Sequence, residues 1–141
     1  MSDINTPLDA LIIPSLDQTK LELNALPDPS VWLHHYRRAM DTYADKDGAA
    51  TILEETRKSA LYRVALLLYN EPSDSKKPSW VAAEAEAHSD EMYTNHIVAM
   101  SQARVAANHA RNQAKQIEMF LDQLQTAQVT LRQEAKYVSA R

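Results

Sequence analysis

No cysteine occurs in the chain. That excludes a disulfide scaffold, a thiol nucleophile and thiolate-held zinc, and it fits a reducing compartment. Glycine is almost as scarce, with Gly48 the only one in 141 residues. A phosphate-cradling Gly-x-x-x-x-Gly-Lys loop, a Gly-x-Ser-x-Gly nucleophile elbow and a dinucleotide fingerprint each need two or more glycines, so none can be built. Long apolar runs are missing too. Near the N-terminus Leu11-Ile12-Ile13 is only a short apolar run and no basic flank precedes it, so neither a signal peptide nor a membrane span is expected. A cytoplasmic location is the expectation. From Ser79 to Arg141 proline and glycine are both absent, across 63 residues rich in Ala, Gln and Glu.

That last absence is the most informative. Nothing in the stretch breaks a helix, and most of its residues favour or tolerate one. Unbroken, it would reach roughly 90 Å at about 1.5 Å per residue. A domain of this size cannot cover such a helix alone. The seam Ala103, Ala106, Ala110, Gln113, Ile117, Phe120, Leu124, Ala127, Leu131, Glu134 and Val138 alternates steps of three and four. It predicts self-association above a dimer, with Ile117, Phe120, Leu124 and Leu131 as the subunit contacts.

The rest of the chain divides at its prolines. Residues 1–27, interrupted by Pro7, Pro14 and Pro27, read as an extended arm. Within it, Thr19 to Leu23 alternates polar and apolar and predicts a short strand or an extended segment. Asp28-Pro29-Ser30 predicts a helix start. A first helix is expected from Pro29 to Tyr43, with Trp32, Tyr36, Ala39, Met40 and Tyr43 on one face. Asp45-Lys46-Asp47-Gly48 reads as a turn. A second helix is expected over Ala49–Tyr69, striped by Ile52, Leu53, Ala60, Leu61, Val64, Ala65 and Leu68. A loop then runs to Ser79, a good N-cap for the long helix. The expected fold is all-α: arm 1–27, helical hairpin 28–77 and long helix 78–141, in one domain that forms an oligomeric bundle or ring.

Charge is uneven. Residues 1–30 carry a net −4, 31–77 +1, 78–99 −4 and 100–141 +3. Glu84, His88 and Glu91 share a helical face, but neither His-Glu-x-x-His nor paired Glu-x-x-His motifs occur. They read as a solvated acidic face, with no metal site. His34 and His35 are neighbours and point apart on a helix, one toward Trp32 and one toward solvent. Serines and carboxylates occur singly, and no catalytic activity is expected.

Bases and aromatics do interleave. Arg37 and Arg38 lie among Trp32, Tyr36 and Tyr43. Arg57, Lys58 and Arg63 lie beside Tyr62 and Tyr69, and Lys76 and Lys77 precede Trp80. Such patterns suit single-stranded nucleic acid, where cations track phosphates and rings stack on bases. These seven bases are the predicted contacts. The competing reading is a core of aromatics surrounded by solvated bases. Under it the chain is a helical scaffold that assembles and binds no nucleic acid, its bases paired with acids such as Glu54, Glu55 and Glu84–Glu91.

The order of motifs resembles the UvsY recombination mediators of T-even-like phages. The resemblance rests on Asp17-Gln18-Thr19-Lys20-Leu21, then Ser30-Val31-Trp32-Leu33-His34, then Arg57-Lys58-Ser59-Ala60-Leu61-Tyr62-Arg63, with Arg132 and Lys136 in the terminal helix. The family has bases just after the Ala-Leu pair; here that place holds Tyr62 and Arg63, so one charge is lost and one displaced. The resemblance implies a ring-like homo-oligomer in the host cytoplasm. The ring would bind single-stranded DNA, displace single-strand-binding protein and help load a RecA-like recombinase. No cofactor is implied.

Overall fold

A computed structural model describes residues 3–16, 22, 25–71 and 77–140. It is all-helical, with four α-helices: α1 (Pro29–Glu55), α2 (Arg57–Asn70), α3 (Trp80–Ala87) and α4 (Glu91–Ser139). There is no strand among the described residues. The strand expected over Thr19–Leu23 lies outside them, apart from Glu22.

Capping side chains explain three of the four helix starts. Asp28 starts α1: its Oδ1 accepts the Ser30 backbone N–H at 2.9 Å and the Ser30 hydroxyl at 2.8 Å. Ser79 starts α3, accepting the Ala82 N–H at 3.2 Å. The expected single long helix is interrupted between these points and the C-terminus. The Ser89 and Asp90 N–H groups donate to the carbonyls of Glu86 and Ala87, tightening the end of α3 into a three-residue spacing. Asp90 then caps α4, its Oδ1 accepting the Met92 N–H at 2.9 Å. A tight turn has formed there without glycine or proline, because an aspartate offers the next helix its first acceptor.

The turn expected at Asp45–Gly48 does not form, and α1 runs through it to Glu55. A glycine inside a helix costs about 1 kcal/mol relative to alanine. The flanking contacts offset that cost: Ala50 is wholly buried, and Asp47 holds Arg104 at 2.7 Å. Gly48 has no positive φ, and nothing lies within 4 Å of where a Cβ would stand. Gly48→Ala should therefore stabilise the chain by about 1 kcal/mol. A urea midpoint raised at unchanged slope is the expected reading. The break comes later, at Thr56, with φ −88° and ψ 1°. Its hydroxyl donates to the Ile52 carbonyl at 2.7 Å, a bond that bends helices.

Contacts gather into two compact units, Met1–Tyr43 with His109–Arg141, and Ala44–Asn108. These cut across the expected arm, hairpin and long helix, because α1 and α4 each contribute residues to both.

In the first unit, Trp32, Ala39, Ala114, Ile117, Phe120 and Leu124 form the core. The Trp32 ring meets Phe120 edge-on at 4.7 Å and His35 at 5.1 Å. The N-terminal segment is no loose arm. It makes a 3-10 turn at Leu8–Ala10, and Leu8, Leu11, Leu16 and Leu26 pack on this core. Gln113 Nε2 donates to the Leu8 carbonyl at 2.8 Å, and the Arg38 guanidinium donates to the Thr6 carbonyl. Met40, expected on the buried face, is 39% exposed.

His35 is fully buried here, and its Nδ1 lies 3.0 Å from Arg38 Nη2. Burial, and then the neighbouring Arg38 and His34 charges, hold its pKa below the usual 6.5. The folded chain thus keeps His35 neutral where the unfolded chain would protonate it. Its contribution to stability is complete above about pH 6.5. It is lost as pH falls below that value toward the folded pKa, with a slope of at most about 1.4 kcal/mol per pH unit. Urea unfolding at pH 8, 6 and 5 should show this decline, and the His35→Gln variant should lose that component.

The second unit is built on a packed α2–α3 pair. Val64, Ala65 and Ala87 are its buried cluster, flanked by Leu61, Leu68, Trp80 and Tyr93. His96 Nε2 lies 2.9 Å from the Leu53 carbonyl. Across the described residues, eight of the thirteen buried apolar side chains are alanines.

Candidate nucleic-acid interface

The site lies in the second unit, on α2, α3 and the residues just before α3. Burial of Val64 and Ala65 fixes which way α2 faces. Arg57, Lys58 and Arg63 are all exposed. Arg57 and Lys58 border the groove between α2 and α3, and Arg63 lies on the side of α2 that carries Ser59 and Leu66. Among the described residues the ion pairs are those of Arg104, so none of the three is neutralised by an acid there.

Aromatic rings stand beside these bases. Tyr62 is 59% exposed. Trp80 is half-buried, 5.4 Å from Tyr62 and 5.7 Å from Tyr69 between ring centroids. The Lys77 ammonium lies 4.3 Å from the centre of the Tyr69 ring, a cation–π contact. Two cavities open along this surface. One, of about 600 Å³, is bordered by Lys58, Ser59, Tyr62, Arg63 and Leu66. The other, of about 430 Å³, lies between α2 and α3 with Arg57, Lys58, Tyr62, Trp80, Glu84 and His88 among its walls.

The other expected contacts fare differently. Arg37 is exposed, but in the first unit. Arg38 is also there, half-buried and engaged with Thr6 and His35, so it ties down the N-terminal segment and is no free cation. Lys76 lies outside the described residues. Arg104, a further basic candidate on α4, is taken up by Glu54 through two nitrogens at 2.7 and 2.8 Å, and by Asp47. Those hydrogen bonds hold the Glu54 carboxyl below its usual range and raise the Arg104 pKa further.

The expected subunit contacts are also redistributed. Ile117, Phe120 and Leu124 are at most 2% exposed within the single chain, where they cover Trp32. They offer no surface to another copy, because the N-terminal segment and α1 already occupy it. Leu131 remains half-buried, and Val138 at the end of the seam is 77% exposed.

The cavity walls Glu84 and His88 escaped the sequence reading as part of this site. The sequence reads them as part of a solvated acidic face, both are exposed, and the α2–α3 pairing brings them to one cavity with Arg57 and Lys58. Among the described residues no three acids or histidines gather as metal ligands, and no helix is long and apolar enough to cross a membrane. Comparison with protein-family models, with curated proteins and with solved structures gives no match to this chain.

Proposed function

We propose that the chain is a non-catalytic recombination mediator. In this reading it binds single-stranded DNA as a homo-oligomer and helps a RecA-like recombinase replace single-strand-binding protein. The observation that carries the strand-binding part is the exposure of Arg57, Lys58 and Arg63 on α2 beside Tyr62, Trp80 and the Lys77–Tyr69 pair. Exposed cations next to accessible rings supply phosphate attraction and base stacking together. The scaffold alternative calls for these bases to be paired with acids, and among the described residues only Arg104 is so paired. The recombinase and single-strand-binding protein come from the motif order alone.

The test is binding of a labelled single-stranded oligonucleotide across a salt series. Micromolar or tighter binding at low salt, weakening steeply as salt rises, supports the proposal. No binding at low salt leaves the scaffold reading in its place. The chain should then speed assembly of recombinase filaments on DNA already coated with single-strand-binding protein. No acceleration would confine the function to strand binding.

A further inference from the structure

We infer that the cavity between α2 and α3 holds one unstacked base of the bound strand and reads its exocyclic amino group through Glu84. The inference rests on the strand-binding reading above and adds a ligand position and a base preference to it.

The cavity's size and walls fit such a ligand. Its volume of about 430 Å³ falls within the range of small-molecule sites. Tyr62 and Trp80 contribute rings tilted 52° to one another, a wall on which a base can lie. Arg57 and Lys58 border the same cavity from α2, where the flanking phosphates of an extruded nucleotide need cations.

The α3 wall differs in kind. Glu84 lies on α3 and His88 one turn further at its C-cap, and both line the cavity. The His88 ring stands edge-on to Tyr93 at 5.7 Å, which gives it a fixed neighbour. An ionised glutamate only accepts hydrogen bonds. Among the described residues Glu84 enters no ion pair, so its acceptors are available. A base carrying an amino group donates to such a carboxylate, as cytosine does through its N4. Uracil and thymine carry a carbonyl at that position and meet the carboxylate with like polarity. The α2 wall therefore serves any nucleotide, whereas the α3 wall discriminates.

Fluorescence separates the parts. Trp32 is 2% exposed and Trp80 is half-buried at the cavity, so quenching on strand binding reports on Trp80. Titration with oligo(dC) and oligo(dU) of equal length, at pH 8 and equal salt, compares bases that differ at position 4, amino against carbonyl, and at N3, acceptor against N–H. Oligo(dC) should quench and bind about tenfold tighter, the worth of one well-placed base contact. Glu84→Gln, which can donate to the uracil carbonyl as well as accept from the cytosine amino group, should bring the ratio close to one. Trp80→Phe should abolish the quenching. Equal affinities for the two strands in the wild-type chain, with no effect of Glu84→Gln, would overturn the cavity assignment while leaving strand binding in place. Failure to bind either strand would overturn both.

Discussion

Trp32→Ala should lower the stability of the chain by about 3–5 kcal/mol, the usual cost of truncating a buried tryptophan. Domains of this kind have only about 5–15 kcal/mol in hand. Trp32 is the largest of the fully buried side chains, and Ile117, Phe120, Leu124 and the leucines of the N-terminal segment all belong to the cluster it anchors. The cavity left behind has few ways to collapse, because the flanking positions Ala39 and Ala114 are too short to fill it. Unfolding in urea, followed by circular dichroism, should show the midpoint fall by a large fraction. The double variant with Phe120→Ala should cost less than the two single changes added together, since each removes the same edge-on contact. A Trp32→Ala loss below about 1 kcal/mol would mean that this core does not hold the first unit together.

Replacing Arg57, Lys58 and Arg63 together by Ala should flatten the salt dependence of strand binding. Each phosphate contact to a single strand contributes about 0.7 to the slope of log affinity against log salt. Three lost contacts should reduce that slope by about 2, with the largest fall in affinity at low salt. All three side chains are exposed, so the folded state and assembly state should not change. Thermal unfolding and light scattering of the variant provide the control. Unaltered binding would reject the α2 surface and move attention to the exposed bases Arg111 and Lys115 on α4. Arg104 is a poorer candidate, since its two carboxylate partners already neutralise it.

The helical class was legible because glycine occurs once and proline is absent after Pro78, and the helix starts at Asp28-Pro29-Ser30 and Ser79 were legible because capping side chains act locally. That one of His34 and His35 packs beside Trp32 was legible from adjacency on a helix; that it is His35 was not. The turn at Gly48 was misread for a tertiary reason: glycine weakens a helix, but Ala50 burial and the Arg104 bridge hold α1 together. The break at Ser89-Asp90 lay in the sequence as a capping aspartate inside an uninterrupted helical composition. The seam of α4 was correctly placed through Leu124, yet its partner was misassigned. Periodicity identifies a buried face without saying which surface covers it. For the candidate site, α2 exposure followed from its apolar stripe. The α3 wall did not, since nothing local tells Glu84 that Arg57 will stand across a cavity from it.

The alanine-dominated interior has an evolutionary corollary. One nucleotide change from an alanine codon yields Val, Thr, Ser, Pro, Gly, Asp or Glu. At fully buried helical positions such as Ala83, Ala87 and Ala107, each of these is harmful for its own reason. Valine overfills the site, at about 1–3 kcal/mol. Serine and threonine bring a hydroxyl that needs a partner, and the acids bring a charge with none. Glycine weakens the helix and proline breaks it. A core of large aliphatic residues can drift through Leu, Ile, Val and Met with little loss. This one has no neutral neighbours in codon space. Related chains should therefore keep these alanines while their larger surface residues diverge, so that their common ancestry is written in small side chains at helical spacing.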